Sequence, residues 1–189
     1  MTEAPRAGHT RAAGVAGRRI DAPRAEAPRF PLENVPIVRD RLRDELARHQ
    51  LAWVVSSAAC GADIIAQEVA AELGLRRRVV LPFSRAQFRE RSVVDRPGDW
   101  GQRFDQLMLE LEPENNVIDL KLDPEAPDVY TRANEAILEQ VLTMSGGSVT
   151  DALAVIVWEG NSRGEADYTA AFAAAAGQRG LAVRRVLTI

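Results

Sequence analysis

Seven residues, 152-ALAVIVW-158, form the most apolar run in the chain, and they constrain the fold more than any other segment. A run this short cannot cross a bilayer, which takes roughly 20 apolar residues, but it fits a strand buried on both faces of a parallel sheet. Similar runs recur at 51-LAWVVSSA-58, 78-RVVLPF-83, 116-NVIDLKL-122 and 182-AVRRVLTI-189. Between them lie stretches with helical spacing: Val38 to His49, Ala62 to Leu73 before the natural cap Gly74, Arg85 to Arg91, Trp100 to Leu111, Asp128 to Met144, and 164-GEADYTAAFAAAAG-177. Strands alternating with helices imply right-handed βαβ units and a mostly parallel sheet, an α/β architecture. Aromatics make up only 5% of the residues, so Val, Leu, Ile and Ala must fill its core.

The 189 residues suit one sizeable core. Residues 1–36 carry Pro5, Pro23, Pro28, Pro31 and Pro36 with weak periodicity; they read as a largely irregular segment that can still contribute a first strand. Residues 37–189 read as the ligand-binding domain. No membrane segment or signal peptide is expected, and the single cysteine, Cys60, fits a reducing compartment, so the expected localisation is cytoplasmic. With His9 and His49 as the only histidines, no metal site and no cofactor are expected. A formal charge of −3 provides no general field for a polyanion, although residues 1–30 hold six arginines against three acids.

Ligands of open parallel sheets bind where strands end and helices begin, and two such turns stand out. In 56-SSAACGAD-63 small side chains let the backbone approach a ligand. Gly61 can take positive φ, N–H groups at the next helix start favour an anion, and Ser56 and Ser57 add hydroxyls. A tight packing turn, with Asp63 complementing the helix dipole, explains the same residues equally well. In 158-WEGNSRGEADYT-169, Gly160 and Gly164 permit tight geometry, Arg163 offers a fork for phosphate or carboxylate, and Trp158 offers a stacking face or a core wall. Glu165 and Asp167 fall in the expected first helical turn as caps, ribose contacts or acid–base groups. Cys60 has no histidine near it in sequence and reads as a packed thiol; 76-RRR-78 sits at the opposite sheet edge and reads as a solvated face.

The turn 56-SSAACGAD-63 with its Ala-rich helix resembles the first ligand-binding turn of the SLOG superfamily, named after bacterial DNA-processing proteins and the LOG nucleotide phosphoribohydrolases. The ordered set 17-GRRIDAP-23, 29-RFP-31, 79-VVLPF-83 with Phe88 and Ser92-Val93, 130-YTRAN-134 and 155-VIVWEG-160 resembles a branch whose domain occurs alone or beside tetratricopeptide repeats and cyclase-type signalling modules. The resemblance implies a Rossmann-like three-layer α/β/α sandwich that senses or processes nucleotide-derived ligands in stress or defence signalling. It places Ser57, Gly61 and Asp63 towards the ligand, with Gly17, Arg19 and Asp21 at the end of the first strand and Gly164 with Glu165 at the later turn. The chain departs from the pattern at Arg18, where the branch has histidine, and at 163-RGEADYT-169, where LOG enzymes carry a Pro-Gly-Gly-x-Gly-Thr turn before a catalytic glutamate. Binding of a nucleotide-like small molecule is therefore the leading expectation. The alternatives are an N-glycosidase using Glu165 or Asp63, and single-stranded nucleic-acid binding; a homo-oligomer is compatible with each.

Overall fold

The structure, a computed structural model, describes residues 10–164 and 166–189. Strand β1 (Ala12–Gly17) leads through a long loop and a 3-10 turn to α1 (Val35–Ala47), β2 (Trp53–Ser56), α2 (Ala62–Glu72) and β3 (Arg76–Leu81). Then follow α3 (Arg85–Ser92), α4 (Trp100–Leu111), β4 (Val117–Asp119), α5 (Val129–Met144), β5 (Ala152–Trp158), α6 (Tyr168–Gln178) and β6 (Ala182–Leu187). All six strands are parallel, in the order β4-β3-β2-β1-β5-β6.

Alternate side chains leave the sheet on opposite faces, as the pleat requires. Ala13, Val15, Val54, Leu153, Val155 and Val157 meet α1, α2 and α4, whereas Ala12, Ala16, Val55, Ala154 and Ile156 meet α5 and α6. The result is a three-layer, Rossmann-like sandwich. Helix α1 turns Val38, Leu42 and Leu46 inward at helical spacing; α2, wedged between sheet and neighbours, buries most of its circumference. At its end the N–H groups of Gly74 and Leu75 bond to the carbonyls of Ala71 and Ala70, a Schellman closure for which Gly74 supplies φ +68°.

The segment 1–36 contains the central strand of the sheet: β1 is paired on both sides, with Ala12 opposite Trp53 of β2 and Ala152 of β5. Its small residues are what the packing demands. A Cβ at Gly14 would lie 3.0 Å from Val141 and 3.2 Å from Phe172, so α5 and α6 could not settle as closely on the sheet. Ile20 and Phe30, beyond β1, are buried in the same core. The 116–122 strand pairs only over Val117–Asp119. The last helix starts at Tyr168, four residues later than its sequence pattern implies, because Asp167 caps it.

From β1 the chain proceeds outward through β2, β3 and β4, then returns to β5 and β6 on the other side. The connections therefore diverge between β1 and β5, which opens a crevice at their carboxyl ends.

Candidate functional site

Three elements meet at the end of β1. A Cβ on Gly17 would stand 2.4 Å from Ala62 Cβ of α2 and 2.8 Å from the Val157 carbonyl of β5, so glycine sets how closely they converge. The next residue, Arg18, is buried at 3% exposure and donates to Glu159 at 2.5 and 3.1 Å, to Asp167 at 2.6 and 2.9 Å, and to the Asn161 carbonyl at 2.9 Å. Arg29 donates to Glu159 at 2.7 Å. Burial works against the Asp167 carboxylate, but Arg18 and the N–H groups of Arg163 and Ala170 outweigh it and hold the carboxyl well below its usual range.

The first turn is tied to its own protein. Ser56 donates to the Ser57 carbonyl and accepts from the Gln67 amide at 2.9 Å, while Ser57 donates to the Val80 carbonyl at 2.8 Å. The N–H groups of Cys60 and Ala62, expected to favour an anion, bond to the carbonyls of Ser92 and Arg18 at 2.9 and 3.1 Å. Gly61 takes φ +96°, and a Cβ there would meet Arg18 O at 2.8 Å and Ile20 N at 2.9 Å, so its freedom serves the approach of the 18–20 backbone. Cys60 is fully buried, which pushes its thiol up to about 11 and leaves no thiolate near neutrality.

Asp63 differs from its neighbours. Its Oδ2 accepts from the Ala59 N–H at 3.3 Å, whereas Oδ1 is buried without a hydrogen-bond partner among the described residues. Burial pushes the carboxyl up to about 7, against the pull of the Ala59 and Gly17 N–H groups and of Arg19. The folded value lies above the ordinary 3.8, so the stability Asp63 contributes is full below about pH 4 and is lost as pH rises through 7. Asp63→Asn is expected to stabilise the domain by on the order of a few kcal/mol at pH 8 and by almost nothing at pH 4. Urea midpoints of both proteins at the two pH values test this; an equal gain at both would refute it.

The second turn is also self-satisfied. Asp167 caps α6 by accepting from the N–H groups of Thr169 and Ala170 at 3.1 Å each and of Arg163 at 2.8 Å, so a carboxylate of the chain itself occupies the helix N-terminus. The Arg18 guanidinium lies 5.9 Å from the centre of the Trp158 ring. Glu165 lies outside the described residues.

Between the turns is a cavity of about 420 Å³, a volume suited to a small organic ligand. Of the residues singled out in the sequence, Gly17, Arg19, Asp21, Ser57, Asp63 and Arg163 line it; Ser56, Gly61, Trp158, Gly160 and Gly164 do not. Its apolar surface comes from Val15, Ala16, Phe88, Ala133 and Ile137, and Tyr130 and Tyr168 add a ring pair 5.2 Å apart. Asn134 also lines it and donates to the Tyr168 carbonyl at 2.9 Å, so 130-YTRAN-134 forms one wall. Asp21 accepts from the N–H groups of Arg29 and Phe30, closing the loop after β1. Arg18, Arg29, Arg91 and Arg96 are lining residues that sequence reasoning missed. Among the described residues no cluster of three or more His, Cys, Asp or Glu could hold a metal ion, and no helix is long and apolar enough to cross a membrane.

A comparison with solved structures finds DNA processing protein A (DprA) from Streptococcus pneumoniae, with a TM-score of 0.52 and 14% identity. The likeness covers 93% of this chain and 50% of that one, so the chain spans about half the length of the structure it matches. The likeness is one of fold, and it agrees with the Rossmann-like sandwich that the sequence resemblance implies. No family model and no curated protein matches the chain.

Proposed function

We propose that this domain binds a nucleotide or nucleotide-derived ligand at the carboxyl edge of its sheet and acts as a sensor in signalling or stress response. The observation that carries the reading is the composition of the switch-point cavity. Guanidiniums line it, an aromatic and aliphatic wall runs through it, and the buried Asp63 carboxyl has one oxygen to offer. A nucleotide presents the complementary set of anion, flat ring and hydroxyl or amine donors. The SLOG resemblance supports the same class.

Isothermal titration against nucleoside monophosphates, cyclic nucleotides and ADP-ribose derivatives is expected to give at least one ligand with a dissociation constant in the micromolar range, roughly −8 kcal/mol. An arm with a single-stranded oligonucleotide tests nucleic-acid binding. Failure of every small molecule to bind below millimolar concentration would sink the reading.

One observation favours a second reading, hydrolysis of a nucleotide N-glycosidic bond. A carboxyl held up at about 7 beside a cavity can exchange a proton near neutral pH. Release of free base from nucleoside monophosphates, absent in Asp63→Asn, would establish it; no release above that control removes it.

A further inference from the structure

The charges around the cavity do not cancel evenly. At the α2 end Arg19 and Arg96 share Asp95, at 2.8 and 3.5 Å, and Asp63 supplies a second carboxyl near Arg19. Arg91 pairs with Glu125, and Asp21 is held by backbone N–H groups. At the β5–α6 end Arg18 and Arg29 are matched by Glu159 and Asp167, and Arg163 stands in addition. Every other cavity-lining guanidinium has an ion pair; that of Arg163 has neither an ion pair nor a hydrogen bond among the described residues. Arg163 is an exposed residue; partial burial and the charges of Arg18 and Arg29 push its ionisation down, against the pull of Asp167 and Glu159, which already serve Arg18 and Arg29.

The usual alternative for an anion here is largely taken. Asp167 already accepts the N–H groups of Thr169 and Ala170 at the start of α6, and those of Cys60 and Ala62 at the other turn go to carbonyls. An anion at these groups would displace bonds the chain already makes, which favours a side chain as its partner.

We infer that Arg163 is the specificity residue for a terminal anionic group, so that the ligand lies with one charged end at the β5–α6 side and an uncharged, hydrogen-bond-donating end at Asp63. This rests on the nucleotide reading above. The preferred ligand carries charge at one end only. A guanidinium suits the task because its planar fork engages a phosphate through two parallel hydrogen bonds.

The test is titration calorimetry with AMP, adenosine, GMP, guanosine and adenosine 3′,5′-bisphosphate, on the full chain and on Arg163→Gln and Arg163→Lys. For wild type, the monophosphate of at least one pair should bind about ten- to a hundred-fold more tightly than its nucleoside, the range that charge-assisted hydrogen bonding supplies. The bisphosphate should bind no more tightly than AMP. Arg163→Gln should erase the preference while leaving nucleoside affinity within about twofold, and Arg163→Lys should restore part of it as a point charge. A preference that survives Arg163→Gln, an equal loss for nucleotide and nucleoside, or tighter binding of the bisphosphate overturns the assignment and leaves the nucleotide reading standing. Absence of binding by all five probes to wild type overturns the assignment, while the cyclic and ADP-ribose ligands of the wider panel decide the nucleotide reading separately.

Discussion

Gly61→Ala is expected to lower the urea midpoint of this domain, with a loss of about 2 to 6 kcal/mol, before any ligand is added. Two separate costs combine. The residue sits at φ +96° and ψ −123°, a region that only glycine enters freely. The added Cβ would also lie 2.8 Å from Arg18 O and 2.9 Å from Ile20 N, backbone atoms that cannot rotate aside. Gly74→Ala is the control, because φ is +68° there but a Cβ would meet nothing within 4 Å. It should cost only about 1 kcal/mol, and equal losses at the two positions would refute the steric half of the argument. A larger side chain at Gly61 therefore tests the fold before it tests binding.

Arg18→Met is expected to cost about 3 to 5 kcal/mol at pH 7, because it strips a buried cation from two carboxylates. Glu159 keeps Arg29, but Asp167 retains only N–H donors. The pH dependence identifies the cause. The folded carboxyl of Asp167 lies below its ordinary 3.8, so the stability it provides is present above about pH 4 and is lost as pH falls through the folded value. Acidification also protonates Asp63, which adds stability to both proteins alike, so the Asp167 contribution is read in their difference, and the gap between wild type and variant should narrow from pH 7 to pH 3. Parallel curves would show that Arg18 contributes packing rather than charge. Since Arg18 also joins the loop after β1 to the loop after β5, the variant should loosen both walls of the cavity, read as faster amide exchange over residues 18–30 and 159–164.

Much of the architecture was legible because hydrophobic periodicity reports burial, and burial decides these elements. The β5 run and the α1 stripe needed no other signal. Strand β1 was harder to see because a central strand pressed by helices on one face and by α2 on the other uses alanine and glycine, which carry little apolar pattern. The start of α6 was misplaced because periodicity does not locate a cap; the Asp167 side chain stops the helix from reaching back to Gly164. The site was legible in its two turns and opaque in its charges. Arg18 read as a departure from a family pattern, yet its partners lie 141 and 149 residues away, beyond the reach of any local motif. The α6 cap is local, since Asp167 accepts from N–H groups two to four residues away, whereas the acceptors for the Cys60 and Ala62 N–H groups, Ser92 and Arg18, lie 32 and 44 residues away and carry no local signal.

The central position of β1 also sets a timetable. Arg18, next to β1, precedes Glu159, next to β5, by 141 residues. At a synthesis rate of roughly 5 to 20 residues per second, β1 emerges about 7 to 28 s before the strand that completes it. During that interval one edge of the middle strand has no neighbour, a common starting point for chain-to-chain association. A strand written AAGVAG offers such association little, since glycine and alanine make poor zippers. The composition that lets two helices close over the finished sheet thus also protects the nascent chain while it waits for its last third.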